Sequence, residues 1–371
     1  MSVIDLSISD PTQTQILSHL SITELLIKET VTRLSGSEQV CDIYALPDLG
    51  LPHNVTRIRG GFYTGALYSW QCEVPFVPID ATVNSCGVSI YKIKTPLQLQ
   101  RDFEERLKSA QAELQQKGPY VWNFSTGNHF VVYGKSRNTG EYFLVLHSSA
   151  AEDKGHRNGL YPVEANWYWD DVRIVNSGSR YLRYLAGKTA EMFIQKAYIL
   201  ESYNRTRHEH IAHLILKNDS LSVELSTVPH YGMPTDSSVA IGCQWSTDRC
   251  VLLTRPGCPL FIVKPSSGQK NTVYLSEAQL CLNPHGLGVQ SVNGLSIDYS
   301  SDFVYINGNP YGHGESLADK EGFCIRSFSD SSDDSNTVDR FFAQCPGEVL
   351  KTIEPIFTYS RHGFSSHLKD T

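Results

Sequence analysis

The sequence predicts an α+β fold in a single large domain spanning residues 1–371, built from mixed and antiparallel sheets with flanking helices. Three observations lead there. Short β-branched and aromatic runs bounded by Gly, Pro, Asn and Ser recur along the chain, as strands do. Only a few stretches carry helical spacing, and they do not alternate with the strands as in a doubly wound sheet. No repeat of roughly 20 to 50 residues is visible, which removes solenoids and propellers.

In chain order, Ser21 to Leu34 is expected to be a helix, with Ser21 and Glu24 at capping-box spacing and Leu25, Leu26, Thr30 and Leu34 recurring on one face. A second helix is expected from Pro96 to Lys117. Thr95 is its N-cap, Pro96 its first residue, Gln98 completes the box, and Gly118-Pro119 ends it. Its Arg101/Glu105 and Glu104/Lys108 pairs read as a solvated face. A third helical stretch is expected from about Arg180 to Lys217, on the apolar series Leu182, Leu185, Ala190, Phe193, Ile194, Ala197, Leu200, Ile211 and Leu214. Strands are expected at His129 to Tyr133, Tyr142 to His147, Pro259 to Val263, Thr272 to Leu275 and Phe303 to Ile306. Trp167, Tyr168 and Trp169 read as a half-buried aromatic strand in preference to an RNA-stacking platform. The run from Ser327 to Asn336 reads as a solvated acidic loop.

Composition narrows the function. A net charge of −7 opposes non-specific nucleic-acid binding, so an RNA substrate requires a local basic cleft. Nine cysteines without a C-x-x-C pair fit neither a disulfide framework nor a zinc ribbon. The N-terminus has no secretion signal and no window is apolar enough for a membrane span, so the expected compartment is the cytoplasm.

Catalytic metals are held by imidazole, thiolate and carboxylate groups at the ends of rigid strands. Five places put His or Cys beside Gly or at a strand boundary: Asn84-Ser85-Cys86-Gly87, Gly127-Asn128-His129-Phe130, Leu144-Val145-Leu146-His147-Ser148, Val228-Pro229-His230, and Pro284-His285-Gly286-Leu287-Gly288. Singly, each is an ordinary core or surface histidine or a buried thiol. His208-Glu209-His210-Ile211-Ala212-His213 lacks the four-residue histidine spacing of a zincin helix.

In order, the five resemble the motifs of the RtcB-type RNA ligases: a Cys-Gly turn, a G-N-H-F strand start, an L-x-H-S strand end, a further His, and an H-G-A-G-R loop. Pro47-Asp48 with His53 is similar to that family's M-P-D-x-H segment. Pro259 to Gly268 is similar to its apolar run and P-G-S-M-G loop, and Glu354-Pro355-Ile356-Phe357 to its C-terminal K-P run. The likeness covers about residues 45 to 363.

The resemblance implies a fold arranged around a central metal site, with Cys86, His129, His147 and His230 ligating Mn²⁺, Zn²⁺ or another divalent ion. It implies that His285 takes GMP from GTP, and that Asn128, Ser266, Ser267, Gly268, Gly286 and Arg361 lie against the nucleotide. It further implies a substrate RNA carrying 3′-phosphate or 2′,3′-cyclic phosphate and 5′-hydroxyl ends, as in tRNA processing and RNA repair, and an activating protein partner. The chain departs from the pattern at Val83, where the family has a metal-binding aspartate that Asp80 or Asn84 would have to replace. It departs again at Val289 in place of an arginine, in the Ser266 to Gly268 loop, and at Ser360-Arg361 in place of a lysine. Three functions follow: a GTP-using ligase, a relative repurposed for another metal-dependent phosphoryl reaction, and a catalytically silent RNA- or protein-binding paralogue.

Overall fold

The computed structural model describes residues 3–94, 96–97, 100–150, 159–217, 221–255, 257–266, 270–275, 278–318, 320–326 and 335–367. Its centre is a large antiparallel sheet with strand order Leu221–Pro229, Gly87–Ile93, Tyr142–Ser148, Phe130–Ser136, Gly347–Ser360, Leu260–Pro265, Cys250–Leu252; Gly363–Ser366 pairs with the far half of Gly347–Ser360.

The sheet is buried on both faces, and the period of two sorts its side chains cleanly. Tyr91, Val131, Tyr133, Leu144 and Leu146 point toward the helices Gln100–Lys117 and Lys188–Leu216, where they meet Phe103, Leu107, Ile211 and Ile215. Val88, Ile90, Phe130, Val132, Phe143 and Val145 point the other way. They meet Leu225, Val251, Leu260, Ile262 and Ile353 from the same sheet, so this face curls onto itself. Phe103 lies 5.6 Å from Tyr133 and 5.9 Å from Phe357, and each such aromatic pair adds about 0.5–1.5 kcal/mol beyond burial.

A second sheet has the order Val3–Asp5, Cys41–Gly50, Thr64–Trp70, Ser238–Ile241, Tyr231–Gly232, parallel in its first pair and antiparallel elsewhere. The helix Pro11–Ser35 packs on it. A three-stranded sheet, Cys243–Trp245, Ala278–Pro284, Thr272–Leu275, adjoins both. The result is a mixed α/β domain, mostly sheet, with five α-helices among the described residues. Among these, no helix is long and apolar enough to cross a membrane, and the cysteines are free.

The expected strands are present with ends shifted by a few residues at most, and Thr272–Leu275 is unchanged. The helices need correction. The first begins at Pro11, not Ser21: Asp10 caps it, Gln13 closes the box, and Ser21 is an interior residue bonded to the Leu17 carbonyl at 3.3 Å. The second is described from Gln100, while its expected cap residues Thr95 and Gln98 lie outside the described residues. Its two ion pairs form at 2.8 and 2.7 Å.

The third stretch divides. Arg180–Ala186 is a strand between Phe76–Pro78 and Arg173–Ser177, and only Lys188–Leu216 is helical, with Gly187 at φ +67° between them. Sheet pairing on both sides outweighs the helical reading of Leu182 and Leu185. Trp167 to Trp169 is a turn entering a short 3₁₀ helix, not a strand, because the Tyr168 hydroxyl is drawn inward to the Leu160 carbonyl at 3.1 Å. Of the acidic run, residues 327–334 lie outside the described residues, and Ser335 and Asn336 open the helix Ser335–Gln344.

Candidate metal centre

Strand register gathers the candidate ligands. Gly87 pairs with both Pro229 and Ser148, and His147 pairs with Phe130. Cys86, His230, His147 and His129 therefore stand at the same end of four adjacent strands. The His230 amide donates to the Cys86 carbonyl at 2.9 Å, tying the two loops together.

Three ligand atoms converge. The Cys86 Sγ lies 3.3 Å from His147 Nε2, which lies 3.2 Å from His230 Nε2, and the three residues are buried. Tetrahedral metal bonds of about 2.0–2.3 Å put ligand atoms roughly 3.3–3.7 Å apart; the two separations stand at and just below the short end of that range, and all three ligand atoms lie within 4.8 Å of one another, close enough to hold an ion. The Asn128 carbonyl accepts from His147 Nδ1 at 3.1 Å, which turns the Nε2 lone pair toward the cluster. Burial, and then His285, hold His147 down at about 3. Burial also pushes His230 well below the ordinary range, with His285, His147 and His129 adding to it. Both imidazoles are neutral at physiological pH, the form in which they bind metals.

His129 stands beside this trio. Its ring is edge-on to His147 with centroids 5.8 Å apart, and its Nε2 faces the Ser149 hydroxyl at 3.4 Å. Neither proposed replacement for the missing aspartate faces the thiol. Asp80 is fully buried in a two-pronged ion pair with Arg183, and Asn84 Oδ1 accepts the Cys86 amide at 3.0 Å.

His285 follows the strand Ala278–Pro284, whose Pro284 pairs with Cys243. Its ring lies 5.0 Å from that of His230 at an interplanar angle of 30°. Asp48, from the segment similar to M-P-D-x-H, holds it. Asp48 Oδ2 accepts from His285 Nδ1 at 2.6 Å, from the His285 amide at 3.0 Å and from the Gly286 amide at 3.2 Å. This network assigns the proton to Nδ1 and leaves the lone pair on Nε2. Gly242, at φ +61°, permits the approach: a Cβ there would sit 2.8 Å from His285 Cε1.

A cavity of about 320 Å³ opens over these groups. His129, His147, Tyr231 and His285 line its floor, Leu51, Leu287, Val289 and Phe323 its wall, and Asn128, Gly286 and Arg361 also line it. Arg361 comes from the turn between Gly347–Ser360 and Gly363–Ser366. Ser266 is not among the lining residues. The cavity end of its strand is near Leu253 and Thr254, and Leu260 to Pro265 carries the chain roughly 16 Å onward, where the exposed Ser266 donates to the Pro346 carbonyl at 2.9 Å. Ser267 and Gly268 lie outside the described residues.

Arg57 is a further residue that the motifs did not point to. Its guanidinium lies 4.3 Å from the centroid of the Tyr231 ring on the cavity floor and donates to the Ala81 and Thr82 carbonyls just before the cysteine loop. A buried arginine spaced two residues from another in R-I-R gives no signal of this in sequence. No protein-family model and no curated protein matches the chain.

Proposed function

We propose that this protein is a metal-dependent, GTP-using RNA ligase-like enzyme that joins an RNA 3′-phosphate or 2′,3′-cyclic phosphate to a 5′-hydroxyl through a histidine–GMP intermediate. The observation that carries the reading is His285. Its Nδ1 is clamped by Asp48 at 2.6 Å, and its ring stands 5.0 Å from His230, a member of the buried Cys86/His147/His230 cluster.

In this reading His285 Nε2 attacks the α-phosphorus of GTP. A P–N bond forms, the bond from the α-phosphorus to its bridging oxygen breaks, and pyrophosphate leaves. Asp48 holds the Nδ1 proton and stabilises the charge that develops on the ring. A divalent ion held by Cys86, His147 and His230 would neutralise charge gathering on the phosphate oxygens. A thiolate with two imidazoles suits zinc or another borderline ion, and manganese is the ion that the family resemblance implies. A 2′,3′-cyclic end is first opened by water to the 3′-phosphate; an oxygen of that phosphate then attacks the GMP phosphorus as the P–N bond to His285 breaks, and the 5′-hydroxyl attacks the RNA phosphorus, displacing GMP to close the new ester. Asn128, Gly286 and Arg361 are the residues assigned to the nucleotide.

A second reading, another metal-dependent phosphoryl reaction on the same floor, is favoured by the wall. Val289 lines the cavity where the family has an arginine, and Ser266 does not line it. Incubation of purified protein with α-labelled GTP and Mn²⁺ separates the two. An acid-labile, protein-bound label that disappears in His285→Ala supports the ligase; its absence from metal-loaded protein removes it.

A further inference from the structure

We infer that Asn204 is a positioning residue for the metal centre, its side-chain amide setting the separation of Cys86 and His147 from the helix behind the sheet. The inference rests on the metal-centre reading above. Asn204 is fully buried on Lys188–Leu216, and its one amide nitrogen donates to two carbonyls, Ser85 at 2.9 Å and Ser148 at 3.0 Å. Ser85 immediately precedes Cys86, and Ser148 immediately follows His147.

The position matters because ladder pairing ends there. Gly87 opposite Ser148 is the last pair of these two strands, so Cys86 lies just beyond the ladder, while His147, paired with Val88 and Phe130, is its next-to-last residue. Ser85 is also at φ +51°, a left-handed conformation that a non-glycine residue holds only when its surroundings impose it. The Asn84 side chain on the Cys86 amide and the Asn204 nitrogen on the Ser85 carbonyl hold it from either side, and the same Asn204 nitrogen, bonded also to the Ser148 carbonyl, sets the spacing across the strands.

The orientation of the amide is itself fixed. Arg207, one turn later and fully buried, donates to Asn204 Oδ1 from Nε at 3.1 Å and from Nη2 at 2.8 Å, so the nitrogen must face the carbonyls. Arg207 also donates to the Ser149 carbonyl at 2.8 Å and to the Val121 carbonyl at 3.0 Å. His208 completes the set, bonded to the Ser148 and Ser89 hydroxyls at 2.8 Å each. Partners of this outer kind typically alter metal affinity by about 10- to 100-fold.

The test measures Zn²⁺ affinity by chelator competition and the sulfur-to-metal charge-transfer absorption of the Co²⁺ form. Asn204→Ala is expected to weaken binding about 10- to 100-fold and to lower the charge-transfer intensity, and Asn204→Asp, which cannot donate, to do the same. Phe193→Leu, in the same helix and packed on Tyr168, is the stability control: it should lower the melting temperature and leave affinity within about twofold. Should the Asn204 variants fail to fold, Arg207→Lys keeps the buried cation, loses the fork on Oδ1, and should show a smaller weakening of the same kind. Wild-type affinity and spectrum in a folded variant would overturn the inference alone, as would an equal loss in Phe193→Leu. A wild-type protein that takes up neither ion would remove the metal centre and this inference with it.

Discussion

The floor of the cavity and its wall are built differently. At the floor, His147 lines the cavity, and Cys86 and His230 are buried just behind it at the ends of paired strands, the thiol and the two ring nitrogens already turned toward one another. On the wall, Val289 and Phe323 present apolar surface and Arg361 comes from a turn; Ser266 does not line the cavity. Sheet pairing and the helix behind it hold the floor, and a change there disturbs the core. Wall residues come from short strands and turns that tolerate replacement. Of the positions where the resemblance fails, Val289 and Arg361 fall on the replaceable side, Ser266 lies away from the cavity, and Val83 stands beside the cysteine loop.

Variants can break or sharpen this contrast. The largest effect is expected from His285→Ala: nucleotide labelling should fall by more than about 10⁴-fold while zinc affinity stays within about threefold, because nucleophile and ligands are separate groups. Retained labelling in this variant would remove His285 from the chemistry. Cys86→Ala should weaken metal binding roughly 10³-fold, one ligand's share of a typical structural zinc site; elemental analysis after dialysis checks it. Asp48→Asn should slow labelling about 10²-fold with metal content unchanged, since the amide no longer fixes the His285 proton on Nδ1. Arg361→Ala should raise the GTP concentration needed for half-maximal labelling only about tenfold, a single partly exposed charge on a phosphate. If it matched Cys86→Ala in severity, the floor and wall would not differ in the way described.

The smallest effect concerns the background. His19 is held down from 6.5 to about 4 by burial and then by Arg180. The unfolded chain therefore binds a proton that the folded chain refuses between those values, and this costs stability as pH falls from 6.5 toward 4. His19→Gln should flatten that acid limb by about 1 kcal/mol at most, after allowance for the ring's partial exposure. A limb unchanged in chemical denaturation would assign the loss to other groups.

The residues of the centre stand at strand boundaries legible in the sequence, Cys86 before Gly87, His147 at the end of an apolar run and His230 after Pro229, but only their order, through the resemblance to a known family, grouped them as ligands. Their convergence follows from register, which alternation along each strand encodes only relative to a partner. His129 carries the same signal and stands beside the trio, with its Nε2 facing the Ser149 hydroxyl. Arg180 to Ala186 failed because Leu182 and Leu185 satisfy a helical spacing as readily as a strand, and the Ser177-Gly178-Ser179 turn before them was passed over. The start at Asp10-Pro11 was equally readable, with an N-cap, a proline and a glutamine in place, but the apolar series drew attention to Ser21. Asn204, Arg207 and His208 were not legible at all. Polar residues on a helix resemble a solvated face until the sheet they are buried against is known.

The placement of the ligands at the ends of four strands also orders events during folding. Cys86, His147 and His230 are distant in the chain and meet only after Leu221–Pro229 has closed on Gly87–Ile93, a non-local pairing whose loop-closure entropy is met by burial of the sheet. A small zinc domain gathers its ligands around the ion and unravels when the ion is taken away. Here the candidate ligands stand on a sheet held by its own buried core, so removal of an ion from this centre should leave the architecture standing.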